Sequence, residues 1–153
     1  MDFQPYVHSS GMLRVDRPRK WKVREYPTDP RAKVEFWDPA DRGVTVRLIA
    51  TPAEGATLAE VLPDFEERSM QMRALGAQVA LADAIIRGVN AKRLTIRHTG
   101  IEQVLYLFVD ADMYCNFSFD CSILGENGSI SGRAGILRRV RKRCCAGFDK
   151  RKS

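Results

Sequence analysis

The stretch from residue 113 to residue 121 constrains the fold of this 153-residue chain more than any other segment. Apolar and polar side chains alternate strictly along it, with one set made of Met113, Cys115, Phe117, Phe119 and Cys121 and the other of Tyr114, Asn116, Ser118 and Asp120. A period of two places each set on its own face of a β-strand. A strand of this kind is typical of an antiparallel sheet with one covered, apolar face.

Further strands are predicted on both sides of the chain's midpoint, bounded by Pro, Gly and Asp turn signals. Four early strands are expected at 12–15, 21–25, 34–37 and 44–50, in the last of which Val44, Val46 and Leu48 alternate with Thr45 and Arg47. Later strands are expected at 80–87 and 91–98, joined across Gly88-Val89-Asn90, and at 101–109 and 113–121, joined across Asp110-Ala111-Asp112. The later half therefore predicts two hairpins.

Two helices complete the prediction. Thr57-Leu-Ala-Glu60 is typical of a capping box before a main helix at 63–75, with Pro63 in its first turn, Phe65, Met72 and Leu75 on one face, and Gly76 as its stop. A terminal helix is expected at 132–146, with Ile136, Leu137, Val140 and Cys144 as its apolar stripe. Together these elements predict an α+β domain, an antiparallel sheet flanked by helices in an α/β/α sandwich. We expect a single domain over 1–146 and a short basic tail over 147–153.

Charge is distributed unevenly along the chain. The net charge is +6, but residues 133–153 hold nine Lys and Arg against the single acid Asp149, whereas residues 1–132 hold 16 basic against 18 acidic residues. Such asymmetry favours an acidic partner, either protein or nucleic acid, over a merely solvated helix face. The candidate partner-binding residues are Arg133, Arg138, Arg139, Arg141, Lys142, Arg143, Lys150, Arg151 and Lys152, and a secondary basic cluster is formed by Arg14, Arg17, Arg19, Lys20, Lys22 and Arg24.

The four cysteines favour free thiols in a reducing compartment. Cys115 and Cys121 lie six residues apart on one predicted strand, roughly 20 Å at the usual strand rise, whereas a disulfide requires Cα atoms within about 7 Å. Cys144 and Cys145 are adjacent, and the arginines around them are expected to lower the pKa of the Cys145 thiol.

Motifs that carry chemistry are absent from the sequence. There is no HExxH and no CxxC, so no zinc site is predicted, and no phosphate-binding loop is present. The two histidines, His8 and His98, each stand alone in the sequence. An enzyme would need a cleft that unites one of them with carboxylates. We therefore predict no catalytic residue, no cofactor and no metal. No apolar run reaches the roughly 18 residues of a transmembrane segment, and the first ten residues lack the pattern of a secretory signal.

The order of short motifs resembles the PsbP family, the extrinsic photosystem II subunit and its PsbP-like relatives. The matching segments cover nearly the whole chain and are Phe3-Gln-Pro-Tyr6, Gly11, Arg17-Pro18-Arg-Lys-Trp21, Val34-Glu-Phe36-Trp-Asp38, Val44-Thr-Val46, Thr51-Pro52 and Ala56-Thr57-Leu58. The resemblance implies the PsbP fold, which nuclear Ran-binding proteins and some bacterial lipoproteins share. It also implies a non-enzymatic subunit, assembly factor or adaptor, and a thylakoid-lumen location.

Two function classes are therefore expected ahead of a third. The first is a non-catalytic accessory subunit or assembly factor that docks on the acidic protein surface of a larger complex through its basic segments. The alternative is an RNA- or ribonucleoprotein-binding module that uses the basic C-terminal helix. The third is a small enzyme built around His8 or His98.

Overall fold

The computed structural model describes residues 1–122 and 130–147, with the side chains at positions 42, 130–134 and 146–147 excepted. The elements in chain order are β1 (Phe3–Val7), β2 (Arg14–Pro18), β3 (Lys22–Glu25), β4 (Ala32–Asp38), β5 (Asp41–Pro52), α1 (Leu58–Ala74), β6 (Gln78–Ile86), β7 (Val89–His98), β8 (Ile101–Asp110), β9 (Met113–Ser122) and α2 (Ile130–Gly147). The α+β class expected from the sequence is confirmed.

The predicted strand at 113–121 lies at the centre of the main sheet. Among the described residues this sheet has seven antiparallel strands in the order β3-β4-β5-β9-β8-β7-β6. Two meanders, β3-β4-β5 and β6-β7-β8-β9, are thus joined by the pairing of β5 with β9. In that pairing Val46 lies opposite Phe119 and Leu48 opposite Phe117.

The hairpins of the second meander are tighter than the sequence suggested. The expected three-residue connections are wrong: the turns are the residue pairs Arg87-Gly88, Thr99-Gly100 and Ala111-Asp112, and all six residues have positive φ. Positive φ at both turn positions is the type I′ conformation, whose twist matches the twist of the flanking strands. Asp110 therefore belongs to β8, where it pairs with Met113.

One face of the sheet carries the main core. The inward side chains of β4, β5, β8 and β9 are fully buried there, beneath α2 and the β1-β2 hairpin. Aromatic rings pack edge to face within this layer: Phe108 lies 5.2 Å from Phe117, and Tyr106 lies 6.1 Å from Phe119. Cys115 and Cys121 are buried in the same layer as free thiols.

Helix α1 covers only part of the opposite face. Its Phe65 packs with Leu94, Leu105 and Leu107 over strands β7 and β8. The outer face of β3, β4 and β5 has no helix over it in the part of the chain that the structure describes. The architecture is therefore a sandwich with one complete and one partial helical layer.

The start of α1 differs from the prediction. The helix begins at Leu58, so Pro63 lies inside it rather than in its first turn, and the missing N–H of Pro63 removes the helical hydrogen bond to the Ala59 carbonyl. Thr57 is the N-cap, but its hydroxyl donates to the Glu60 carboxylate (3.2 Å) instead of accepting a backbone N–H. The helix starts early because an apolar stripe that includes Leu58 and Leu62 already packs on the sheet.

The end of α1 is as predicted. Gly76 has φ +90°, its N–H donates to the Arg73 carbonyl, and the N–H of Ala77 donates to the Met72 carbonyl. These are the two bonds of a Schellman motif, which requires the left-handed conformation that glycine adopts without strain. Leu75, however, is 67% exposed and not part of the core face, because it lies at the helix end beyond the edge of the apolar layer.

The sequence analysis missed β1. This strand pairs with β2 from Phe3↔Pro18 to Val7↔Arg14 in a separate two-stranded sheet. Pro5 within it weakens any strand prediction, but proline is tolerated in an edge strand, where its missing N–H costs no ladder bond. The expected strand at 12–15 is correspondingly shifted to Arg14–Pro18.

Replacing Phe117 with Ala should destabilise the protein more than most single substitutions. Phe117 is fully buried and packs against Phe108, and buried Phe-to-Ala substitutions cost about 3–5 kcal/mol in the free energy of unfolding. The measurement is urea unfolding followed by circular dichroism. Met70→Ala, at a side chain 68% exposed on α1, is the control and should change stability by less than about 0.5 kcal/mol. Equal losses in both variants would contradict the assigned core.

Candidate interaction surface

Helix α2 is fixed to the domain by one apolar face. Leu137, Val140 and Cys144 are buried in the main core, as the stripe in the sequence predicted, and Ile136 packs against it. The Cys144 thiol also lies 3.2 Å from the backbone carbonyl of Asp16 on β2 and donates to it. The helix is therefore held in one orientation.

Arg143 adds a polar tether between α2 and the β1-β2 hairpin. Its Nε donates to the Asp16 carboxylate at 3.0 Å, and its guanidinium lies 5.4 Å from the centre of the Phe3 ring. This side chain, expected at a partner interface, is thus engaged within the domain.

The outward side of α2 carries cations. Arg138, Arg139 and Lys142 are exposed, and we call these three residues the α2 basic surface. Arg141 is half-buried. No carboxylate in the described part of the chain forms an ion pair with the three surface residues. Arg138 and Lys142 are four residues apart, a spacing at which like charges destabilise a helix by about 0.2–0.5 kcal/mol.

The remaining C-terminal candidates cannot be placed on this surface. The side chain of Arg133 and all of Lys150, Arg151 and Lys152 lie outside the described residues. They stay predictions, as does the division between a domain at 1–146 and a tail at 147–153.

The secondary basic cluster is dispersed by the fold. Arg14 is exposed on β2, next to α2. Arg17 is half-buried and donates to three backbone carbonyls, at 2.9 Å to that of Trp21. Arg19 is exposed, Lys20 lines a cavity beside Trp21, and Lys22 and Arg24 extend to the opposite face of the sheet. One cluster in the sequence therefore becomes several separate environments.

The uncovered outer face of β3, β4 and β5 combines cations with aromatic rings, which the sequence analysis missed. Arg24 and Lys33 lie 5.1 and 4.2 Å from the centre of the Tyr26 ring. The Tyr26 hydroxyl donates to Glu35 at 2.6 Å, and Arg47 pairs with the same carboxylate at 3.2 Å. A cavity of about 230 Å³ beside them is lined by Arg24, Glu35, Trp37 and Thr45. The alternation of β4 is the signal that could have found this face, because Glu35 and Trp37 alternate with the buried Val34 and Phe36.

A second group of polar residues surrounds Glu25. The hydroxyls of Tyr6 and Ser9 each donate to its carboxylate at 2.5 Å, and Nε2 of His8 lies 3.4 Å from it. Burial of Glu25 by itself would raise its pKa, but the hydrogen bonds from Ser9 and Tyr6 and the charge of His8 outweigh burial, so the pKa of Glu25 is lowered. The group ties the β1-β2 hairpin to the edge strand β3.

The same group bears on the enzyme hypothesis, because it unites a histidine with a carboxylate. His8 is only 6% exposed, and its Nδ1 accepts the backbone N–H of Ser10 at 3.0 Å. That bond occupies the lone pair that a base would need to take a proton from the Ser10 hydroxyl, 2.8 Å away. His98 lies with Nε2 3.1 Å from the Leu75 carbonyl, at the end of α1. Both histidines thus make structural contacts.

The expected activation of Cys145 is wrong. Burial raises the pKa of the Cys145 thiol to about 12, and Arg141 offsets this only in part. Burial, followed by the neighbouring Cys145 and Asp16, also raises the pKa of Cys144. The arginines face solvent while the thiols face the core, so desolvation dominates.

Two structural searches within the described residues gave no site. None of their helices is long and apolar enough to span a bilayer. They also contain no cluster of three or more His, Cys, Asp or Glu side chains that could hold a metal ion.

The architecture defines a class of proteins: a single antiparallel sheet formed by two meanders, with a terminal helix over one face and a crossover helix over the other. No protein-family model and no curated protein sequence matches the chain. Solved structures do match. The chain is similar to the solution structure of cyanobacterial PsbP (CyanoP) from Synechocystis sp. PCC 6803, with 13% identity over 97% of this chain and 92% of that one, at a TM-score of 0.64.

Two further structures have the same fold. LpqN, involved in cell envelope biogenesis of Mycobacterium tuberculosis, is 14% identical over 96% of this chain and 89% of that one, at a TM-score of 0.58. A protein from Bacteroides thetaiotaomicron VPI-5482 is 13% identical at a TM-score of 0.64, and the match covers all of this chain but half of that one. The fold is therefore PsbP-like, as the resemblance implied.

The Glu25 group predicts an acid-sensitive contribution to stability. A carboxyl whose pKa is lower in the folded than in the unfolded protein stabilises the fold above its unfolded pKa, about 4.3 for Glu, and this contribution is lost as the pH falls through the folded value. We expect Glu25→Gln to lower the melting temperature at pH 7 and to flatten its decline in acid, as measured by calorimetry across pH. Glu66→Gln, at an exposed position on α1, is the control. Parallel curves for wild type and Glu25→Gln would contradict the assignment.

Proposed function

We propose that the protein is a non-catalytic accessory subunit that docks on an acidic protein surface of a larger assembly through the α2 basic surface. The observation that carries the proposal is the combination of a helix fixed in the core with exposed, unpaired cations on its outer side. Arg138, Arg139 and Lys142 repel one another along the helix and have no acid near them in the described chain. They therefore do not serve the stability of α2 and are suited to a partner.

The chemistry of these side chains defines the partner. Arg138 and Arg139 present planar guanidinium groups that match carboxylates in bidentate geometry. Exposed cations of this kind raise association rates and fix orientation more than they add affinity. Since the apolar residues of α2 are used in the core, the contact is electrostatic and should weaken in salt.

The structural relatives are consistent with a protein of this kind. One is named as a cyanobacterial PsbP, and another is involved in cell envelope biogenesis. Neither name describes a reaction. The engaged histidines and the buried thiols of this chain also support a non-catalytic role.

The triple variant Arg138→Gln, Arg139→Gln, Lys142→Gln tests the docking proposal. The first step is capture of the native protein with its partners at low salt after nuclease treatment, with identification by mass spectrometry. Binding of the variant to the recovered complex should then weaken about tenfold, which corresponds to about 0.5 kcal/mol for each exposed charge pair. The difference should vanish at high salt.

A matched control removes the same charge elsewhere. The variant Arg73→Gln, Arg87→Gln, Arg93→Gln changes residues on α1, in the β6-β7 turn and on β7. It should bind like the wild type if position matters and not net charge alone. Equal weakening in both triple variants, or no weakening in either, would refute docking through α2.

A second candidate function, binding of single-stranded RNA, is favoured by the outer face of β3, β4 and β5. The basic helix has no aromatic side chain in its described part, but this face places Trp37 beside Arg24 and next to the 230 Å³ cavity. Bases stack on aromatic side chains near cations without regard to sequence. The sheet face, not α2, would then be the contact.

Trp37→Ala separates this candidate from protein docking. If the sheet face binds RNA, the affinity for a labelled oligouridine, measured by fluorescence anisotropy, should fall about tenfold, because stacking contributes roughly 1–3 kcal/mol per base. The α2 triple variant should bind the same RNA almost normally. An unchanged affinity in Trp37→Ala, with an unchanged melting temperature, would eliminate the sheet face as an RNA site.

A further inference from the structure

Strand β6 forms one end of the main sheet, and nothing in the described chain pairs with its outer edge. The two-residue turn makes Ile86↔Val89 the first pair of the β6-β7 ladder. A tight turn of this kind is flanked by a hydrogen-bonded pair, and such pairs alternate along an antiparallel ladder. The backbone N–H and C=O groups of the intervening residues, Val79, Leu81, Asp83 and Ile85, therefore point away from the sheet.

The opposite edge of the sheet shows how an edge is normally protected. Strand β3 has four residues, and three of them, Lys22, Arg24 and Glu25, are charged. Short length and charged side chains prevent an edge from pairing with another chain. This end of the sheet is therefore closed to strand addition.

Strand β6 has none of these protections. It is nine residues long, contains no proline and pairs with β7 without a register shift. Its single charge, Asp83, forms an ion pair with Lys92 on β7. Two of its large apolar side chains are exposed, Leu81 at 37% and Ile85 at 72%, and a cavity of about 500 Å³ adjoins Ile85. A long, flat, apolar edge is a surface that pairs with another strand.

We propose that β6 binds β6 of a second copy of this chain, antiparallel, with the two-fold axis at Ala82. The two sheets then form one continuous sheet across the dimer. In this register Val79 lies opposite Ile85 of the second copy and Leu81 lies opposite Asp83. On the other face of the strand Ala82 lies opposite itself, and Ala80 lies opposite Ala84.

The register follows from the side chains of β6. A shift of the axis to Asp83 would place two like charges directly opposite each other, which is destabilising. A shift to Leu81 would place Ile85 opposite Ala77 and leave its side chain without an apolar strand partner. The axis at Ala82 pairs apolar with apolar and small with small side chains, and it separates the two aspartates.

The self-complementary pattern favours a second copy over a strand from a different protein. Because Asp83 is neutralised within its own chain, β6 offers a foreign peptide no charge to recognise. Pairing through backbone and apolar groups also predicts a salt response opposite to that of α2. Two copies that each carry a net charge of +6 repel, so salt should strengthen the dimer while it weakens docking. Failure of one proposal therefore leaves the other intact.

Cysteine substitution at the axis tests the dimer and its register together. Directly opposed residues in a non-hydrogen-bonded pair have Cα atoms about 4.5 Å apart, within the range that a disulfide spans. We expect Ala82→Cys to form a covalent dimer under oxidised glutathione, seen on non-reducing gels. Ala80→Cys alone should not, since two residues at position 80 would be separated by roughly 13 Å along the strand. A mixture of Ala80→Cys and Ala84→Cys should cross-link.

Sedimentation equilibrium across a wide range of protein concentration tests the association without a cross-link. The wild type should be a dimer at the high end of the range, and Ile85→Lys should shift the midpoint at least tenfold to higher concentration. Ile101→Lys, at a side chain 49% exposed on β8, is the control and should associate normally.

Three results would overturn the proposal. They are a monomeric wild type at every concentration, Ala80→Cys cross-linking as efficiently as Ala82→Cys, or equal effects of Ile85→Lys and Ile101→Lys. A monomer whose β6 amides become protected from hydrogen exchange only in the captured complex would assign the edge to another protein.

Discussion

The pairing of β5 with β9 is the interaction on which the rest of the structure depends. It joins two meanders that each form from local hairpins, and it places Leu48 against Phe117 and Val46 against Phe119 at the middle of the sheet. Its partners lie far apart in sequence, so the entropy of closing the intervening chain opposes it. The buried aromatic layer of β8 and β9 offsets that cost, which is why the alternation at 113–121 dominates the sequence.

The two faces of the sheet are covered by different means, and this decides which surfaces are available. On one face α2 and the β1-β2 hairpin lock together through Arg143, Asp16 and Cys144, which turns the basic side of α2 outward. On the other face α1 covers β6, β7 and β8 and leaves β3, β4 and β5 open. The docking and RNA-binding candidates therefore use separate surfaces, and the β6 edge is separate from both.

The sequence predicted the surface of α2 better than the other sites, for a physical reason. Residues on one helix keep a fixed spacing, so the division between Val140 in the core and Arg138 in solvent could be deduced from periodicity alone. The Glu25 group could not, because its hydroxyl donors come from residues 16 and 19 positions away across two different sheets. The pKa of Cys145 was misjudged for the same reason: neighbouring arginines are visible in a sequence, whereas burial is not.

The sequence by itself determined the α+β class, most strands of the main sheet and the extent of both helices to within a few residues, because alternation, helical spacing and the glycine stop at Gly76 are local properties. Only the tertiary structure decided that the secondary basic cluster is dispersed, that Trp37 and Arg24 share an open face, and that β6 is left as an edge. These outcomes depend on strand order, and strand order is fixed by which long-range pairing buries the most apolar surface, a quantity that no local pattern contains.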